Sequence, residues 1–339
     1  MPRVSFMTIA YNEESYLPRL LDDLKAQDYP HDEIEVVMVD SGSTDATKSI
    51  MHDFAEKSDF AACKVLDNPK RRQASGWNTA IKAASGDILV RIDAHARLES
   101  DFITCVVREI DSGEDIVGGQ RVTVFEGEKP FSKLLAHAES SAFGSAVASY
   151  RRKVKRSYVK TLAHAAYKRG VFDKVGLFNE NLLRTEDNEL HYRMRKAGYR
   201  FCQCPDICSC LYARSTLGGM IKQKWGNGFW VGATLPLCPG CLSIYNFVPA
   251  VFVLALLSAV YESVRSASAF SVVFLLIIYA LAALAASVKE MIKEKSLVIK
   301  PLLILLPPIF LIMHVAYGLG TLVGLIFSPA LILKSKQEE

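Results

Sequence analysis

Charge is what long parts of this sequence lack. Residues 225–261, 266–288 and 301–333 contain no Asp, Glu, Lys or Arg. A membrane-spanning helix needs about 20 apolar residues, so each of the first two stretches supplies one span. The third is too long for one upright crossing: at about 1.5 Å per residue it outruns a hydrocarbon core of about 30 Å. Pro307 and Pro308 should also break or kink it, so it is expected as one span plus an interfacial helix, or as two short spans. The first residues lack the basic and apolar regions of a cleavable signal peptide, which places the soluble part in the cytoplasm as an expectation. A net charge of +4 is too small to suggest nucleic acid as a partner. Cys202, Cys204, Cys208 and Cys210 are spaced as two C-x-C pairs, not as the C-x₂₋₄-C of zinc sites, and a reducing cytoplasm disfavours disulfides. They read as small buried hydrophobes.

Half of the 339 residues are hydrophobic, and they are unevenly placed. Residues 1–235 read as a charged α/β domain and 236–339 as a membrane domain, with hydrophobic segments near 245–261, 267–288 and 301–333. No internal repeat or low-complexity linker separates the two. The Lys-rich segment 289–295 belongs on the cytoplasmic side by the positive-inside rule, whereas Glu262 and Arg265 fall in the opposite loop. An even number of crossings then separates the soluble domain from the Lys-rich segment.

Within the first hundred residues apolar strands alternate with amphipathic helices, which predicts a mainly parallel sheet covered on both faces. Strands are expected at 4–9, 34–39, 64–66 and 88–92. A helix over 16–27 carries Leu17, Leu20, Leu21 and Leu24 on one face. Ligands of such sheets bind beyond the carboxyl ends of the strands, so 11–13, 40–43 and 93–95 should converge on one crevice.

Three motifs carry chemistry. Arg91-Ile92-Asp93-Ala94-His95-Ala96-Arg97 ends a predicted strand, and its carboxylate and imidazole, two residues apart, can face one Mg²⁺ or Mn²⁺. The imidazole favours Mn²⁺. Val39-Asp40-Ser41-Gly42-Ser43-Thr44-Asp45 ends a strand on a carboxylate that can accept from a base N–H or a ribose hydroxyl, or simply cap a helix. Arg184-Thr185-Glu186-Asp187-Asn188-Glu189-Leu190 opens a helix whose acidic first turn either complements the helix dipole or supplies a general base. The run 151–156 holds five cations that can meet anionic headgroups or a pyrophosphate, or lie in a solvated loop.

With T-I-A-Y-N-E-E at 8–14, D-N-P-K-R-R at 67–72 and T-E-D-N-E-L at 185–190, the ordered series resembles glycosyltransferase family 2 over roughly 1–230. It is especially similar to succinoglycan-type exopolysaccharide glycosyltransferases, in which D-A-H replaces D-x-D. The resemblance implies a GT-A, Rossmann-like fold. It implies that Ala10, Tyr11 and Glu13 line a uridine pocket, that Asp40 binds the uracil or its ribose, and that Arg71 and Asn78 contact the donor. Asp93 and His95 would hold Mn²⁺ or Mg²⁺, and Asp187 would be the base of an inverting transfer. The donor expected is a nucleotide sugar, UDP-glucose first, with UDP-galactose and dTDP-rhamnose open. The acceptor expected is an undecaprenyl-diphosphate-linked sugar at the membrane lipid surface, in exopolysaccharide or capsule synthesis, with 150–164 on the acceptor side. Processive relatives carry Q-x-x-R-W, but this sequence has Gln223-Lys224-Trp225-Gly226-Asn227, so a single addition is expected. The alternatives are a polyprenyl-phosphate glycosyltransferase and a non-catalytic partner in polysaccharide export.

Overall fold

A computed structural model describes residues 1–124, 130–144, 155–212 and 216–337. It divides into two compact units, one of Met1–Val124 with Ala148–Tyr212, the other of Phe125–Val147 with Ala213–Glu339.

The first unit holds strands β1 (Val4–Ala10), β2 (Ile34–Asp40), β3 (Ala62–Asp67), β4 (Ile88–Arg91), β5 (Ala96–Leu98), β6 (Ile116–Val124), β7 (Ser157–Val159), β8 (Ala165–Lys168) and β9 (Phe201–Tyr212). They form one sheet in the order β3-β2-β1-β4-β8-β6-β9-β5, with β7 also on β9. The strands β1 to β4 are mutually parallel, as the alternation of strands and helices predicts. Beyond β4 the sheet turns mixed: β8 runs antiparallel to both β4 and β6, and β5 and β7 run antiparallel to β9.

Side chains alternate across the strands, and both faces are apolar. Val4 and Phe6 of β1 with Val36 and Met38 of β2 point to one face, under helices α1 (Leu17–Lys25), α2 (Thr47–Lys57) and, from further along, α4 (Phe102–Asp111). Met7, Val37, Val39 and Leu89 point to the other, where α3 (Gln73–Ala83), α6 (Arg169–Val175) and α7 (Glu186–Lys196) supply Trp77, Phe172, Leu190 and Met194. Leu17, Leu20, Leu21 and Leu24 are all buried, so the expected apolar face of α1 is used. Cys202 and Cys204 lie in the first of these cores.

The second unit contains α5 (Pro130–Ser140), α8 (Leu217–Thr234), α9 (Val248–Ser266), α10 (Phe270–Lys293) and α11 (Leu306–Gln337). Three segments, Ile244–Ser266, Phe270–Lys293 and Lys300–Ser328, are long and apolar enough to cross a membrane. The third segment shows no break at Pro307 and Pro308. A tight turn over Lys300–Leu305 leads into a single unbroken helix. Pro307 and Pro308 fall in its first turn, where backbone N–H groups have no intrahelical partner to lose. Glu262 and Arg265 belong to the end of α9, and 289–293 to the end of α10, so both expected loops are shorter than their charges suggested.

The helices α8 and α11 meet through two G-x-x-x-G pairs. A Cβ on Gly228 or Gly232 would lie 2.0 or 2.1 Å from the carbonyl oxygens of Tyr317 or Thr321, and one on Gly320 or Gly324 2.4 or 2.0 Å from those of Trp225 or Phe229. Only glycine permits backbones this close, a packing mode suited to lipid, where apolar burial alone drives no association between helices. Two ion pairs lie within this unit: Lys224 Nζ is 3.1 Å from Glu139 Oε1, and His137 Nε2 2.8 Å from Glu294 Oε2.

Candidate active site

Strand register brings the first motifs together. Ala10 is level with Asp40 on β2, and Asp40 with Asp67 on β3, so all three mark the carboxyl edge of the sheet. The loops after β1 and β2 are tied to each other. Asn12 N donates to Ser43 Oγ at 3.0 Å, Thr44 N to Asn12 Oδ1 at 2.8 Å, and Glu13 N to Thr47 Oγ1 at 2.7 Å. Asp40 is buried and accepts from Gly42 N at 3.1 Å and Ser43 N at 3.2 Å. Gly42 has φ +79°, a conformation that favours glycine, and a Cβ there would lie 2.5 Å from Arg71 Nε. Arg71 thus lies over the Asp40 turn, itself at φ 52°. Tyr11 stands exposed at the rim, about half of its surface free (55%).

Two of the expected donor contacts have partners within the protein. Glu13 turns its carboxylate to His95, Oε1 3.1 Å from Nδ1. Asn78 is buried and fully engaged: its Nδ2 donates to Phe178 O and Glu180 Oε1, both at 2.9 Å, and its Oδ1 accepts from Phe178 N at 2.9 Å. It braces α3 against the 178–180 loop.

Asp93 and His95 follow β4. A histidine that donates from Nδ1 to a carboxylate presents Nε2 outward as a ligand, so Glu13 both sets the His95 tautomer and raises its basicity. Burial pulls the His95 pKa down, but Glu13 and Asp93 outweigh it and the pKa is raised. Asp93 Oδ2 lies 3.2 Å from Nε2 of His164, whose Nδ1 lies 2.7 Å from Ser209 Oγ. Burial raises the Asp93 pKa, yet the His164 hydrogen bond and the charges of Arg91 and His95 hold it well below the usual carboxylate range. An ionised Asp93 only accepts, so His164 donates from Nε2 and, neutral because burial lowers its pKa, accepts the Ser209 hydroxyl at Nδ1. Asp93 and His95 are an oxygen and a nitrogen donor suited to Mn²⁺ or Mg²⁺, both already oriented. Among the described residues no group of three or more His, Cys, Asp or Glu ligands forms, so such an ion would need oxygens from a bound diphosphate and water.

Glu186 and Asp187 open α7, Glu186 buried and Asp187 partly so. Asp187 Oδ1 accepts from Asn188 N at 2.7 Å. Burial first, then the neighbouring Asp187 charge, push the Glu186 pKa up to about 7. Burial raises Asp187 too, and Arg91 opposes that rise. A carboxylate with a raised pKa at a helix start is suited to take a proton near neutral pH.

Several contributors were not legible as site residues: His164, Ser209, Arg91 and the buried pair Tyr167–His191, joined Oη to Nε2 at 2.9 Å. Of the basic run, 151–154 lie outside the described residues. Arg156 is bound to Glu109 and to Glu114, the latter at 3.1 Å, which ties it to α4 and the turn after it.

Residues 5–176 match the family model described as glycosyl transferase family 2. The chain is 27% identical over 95% of its length to a dolichyl N-acetyl-alpha-D-glucosaminyl phosphate 3-beta-D-2,3-diacetamido-2,3-dideoxy-beta-D-glucuronosyltransferase of Methanococcus voltae, covering 97% of that protein. It is 32% identical to the succinoglycan biosynthesis protein ExoA of Rhizobium meliloti, over 64% of this chain and 65% of that one. Its fold resembles that of a mannosyltransferase from Pyrobaculum calidifontis solved with GDP-Man and Mn²⁺, at TM-score 0.59 and 22% identity, over 95% of this chain and 87% of that one. The mixed sheet is that of a Rossmann-like GT-A domain. The chain belongs to glycosyl transferase family 2 and is a glycosyltransferase acting on a nucleotide sugar.

Proposed function

We propose that this glycosyltransferase is inverting and non-processive, moving a hexosyl group from a UDP-sugar, UDP-glucose first, to a sugar carried on a polyprenyl diphosphate. The observation that carries the reading is the Glu186–Asp187 pair that opens α7, Glu186 buried and Asp187 partly so. Asp187 takes the proton of the acceptor hydroxyl as its oxygen attacks the anomeric carbon, and a single displacement inverts the configuration. Asp40, its turn and Arg71 hold the nucleoside. Asp93 and His95 hold Mn²⁺ or Mg²⁺, which when bound neutralises charge on the departing diphosphate. A lipid phosphate acceptor would need no base, so the carboxylate pair favours a sugar hydroxyl over a polyprenyl phosphate. The Methanococcus voltae relative, whose name specifies a lipid-linked N-acetylglucosaminyl acceptor, supports the same choice.

The catalytic unit is placed in the cytoplasm, with 267–269 external and 294–299 cytoplasmic, by the positive-inside rule. The test is incubation of the purified protein with UDP-hexoses, UDP-uronic acids, dTDP-rhamnose and GDP-mannose, each with undecaprenyl-diphosphate N-acetylglucosamine. Nucleoside diphosphate release and product mass are scored. A UDP-sugar and one added residue are expected, with loss of turnover in EDTA and recovery on adding Mn²⁺. Transfer to bare undecaprenyl phosphate, or a polymeric product, overturns the reading.

A further inference from the structure

The helix α7 carries Asp187 in its first turn and, one turn further on along the same side, His191. His191 is completely buried (0% exposed) and stands against Phe201 of β9, with ring centroids 4.6 Å apart. Both of its ring nitrogens are engaged. Nε2 lies 2.9 Å from Tyr167 Oη on β8, and Nδ1 2.8 Å from Thr161 Oγ1 in the segment between β7 and β8. Burial lowers the His191 pKa well below its ordinary value, so the neutral ring donates to one hydroxyl and accepts from the other. The same segment is held to α7 a second time, by Arg195 Nη1 donating to Lys160 O. Three residues after Thr161 comes His164, which holds Asp93. Between them Leu162 is buried in the core that Leu190 and Met194 of α7 share.

We propose that Thr161 and His191 are positioning residues for the base: through their hydrogen bond the segment 160–164 ties α7, and Asp187 with it, to the carboxylate of Asp93. This rests on the readings of Asp187 as the base and of Asp93 as a metal ligand. Leu190, Met194 and Phe201 press α7 onto the sheet, but apolar contact is non-directional and does not by itself fix the helix along and about its axis. A hydrogen bond weakens steeply away from its axis, so two of them on one enclosed ring set both. Placement matters because the base must meet the acceptor hydroxyl while that oxygen faces the anomeric carbon, and a shift of about 1 Å can cost about 10²-fold in rate.

The test uses the full chain in detergent, with undecaprenyl-diphosphate N-acetylglucosamine and the donor that it takes from the panel above. Thr161→Val keeps the side-chain shape and removes the hydroxyl. It should lower kcat about tenfold or more, with the donor KM and the Mn²⁺ affinity in the presence of UDP unchanged within about twofold. Thr161→Ser, which keeps the hydroxyl, should restore most of kcat. The deciding measurement is a cycle with Asp187→Asn. Once the base is gone its placement no longer matters, so Thr161→Val should add no further loss to Asp187→Asn. A general loosening of the fold would instead lower both backgrounds by the same factor. Tyr167→Phe removes the other hydrogen bond of the ring and carries the same cycle if Thr161→Val does not fold. Wild-type kcat in Thr161→Val, or an equal loss in both backgrounds, overturns the inference while Asp187→Asn remains strongly impaired and the base stays in place. Wild-type turnover by Asp187→Asn removes the base reading itself, and this inference with it.

Discussion

His164 reaches Asp93 across 71 positions of sequence, Nε2 to Oδ2 at 3.2 Å, and fixes the carboxylate that follows β4. Second partners of metal ligands typically carry about 10- to 100-fold in metal affinity. His164→Ala is therefore expected to weaken Mn²⁺ binding in the presence of UDP by that factor, read by electron paramagnetic resonance titration. Ser209→Ala, one bond further out, should have a smaller effect. Unaltered Mn²⁺ affinity in His164→Ala would show that Asp93 needs no such support.

The roles of Glu186 and Asp187 separate in kinetics. Asp187→Asn preserves size and can still hydrogen-bond, but it cannot take a proton. It should lower kcat by about 10² to 10⁴ with donor affinity and Tm nearly unchanged. Glu186→Gln resembles the protonated form and should cost less. Similar losses in the two variants would instead point to a shared structural role.

Stability should depend on pH through Glu186. Its pKa is 4.5 in an unfolded chain and about 7 when folded, so between those values the folded state binds more protons. Stability then falls as pH rises through this window, by about 3 kcal/mol at most. Glu186→Gln should match the wild type near pH 5 and surpass it above pH 7 in thermal unfolding. A gap that does not grow with pH would contradict the assignment.

In the apolar unit, Gly228→Ala and Gly324→Ala each place a methyl 2.0 Å from a carbonyl oxygen of the facing helix. Each should destabilise the protein by about 1 to 3 kcal/mol, measured as Tm in detergent. Gly218→Ala, also on α8 but with nothing within 4 Å, is the matched control and should be neutral or better. Equal effects at all three positions would mean that helix propensity, not helix contact, governs the result.

The parallel half of the sheet was readable because each strand announces itself within a few residues and its motif sits at its own carboxyl end. Asp40 and Asp93 were placed by that local reason, and Asp187 by the acidic first turn of α7. His164 was not: it depends on β8 pairing antiparallel to β4, which no local pattern encodes. Asn78 and Glu13 were assigned by motif position, and only coordinates show the bonds they make to Phe178 and His95. The helices α5 and α8 carry charge that local hydropathy reads as soluble, and the ion pair of Glu139 with Lys224 appears only in the coordinates. The prolines at 307 and 308 misled for the opposite reason, since a residue that breaks a helix interior suits its first turn.

The glycine contacts between α8 and α11 also set an order of events during synthesis. Some seventy residues of chain separate the end of α8 (Leu217–Thr234) from the start of α11 (Leu306–Gln337), so a ribosome adding about 5 to 20 residues per second releases the first helix seconds before its partner exists. Until then the glycine stripe at 228 and 232 has nothing to receive it. The unit closes late, when its last helix arrives, and a nascent chain stopped ahead of Gly320 should keep this surface open to whatever insertion factor or quality-control protease recognises unpaired helices.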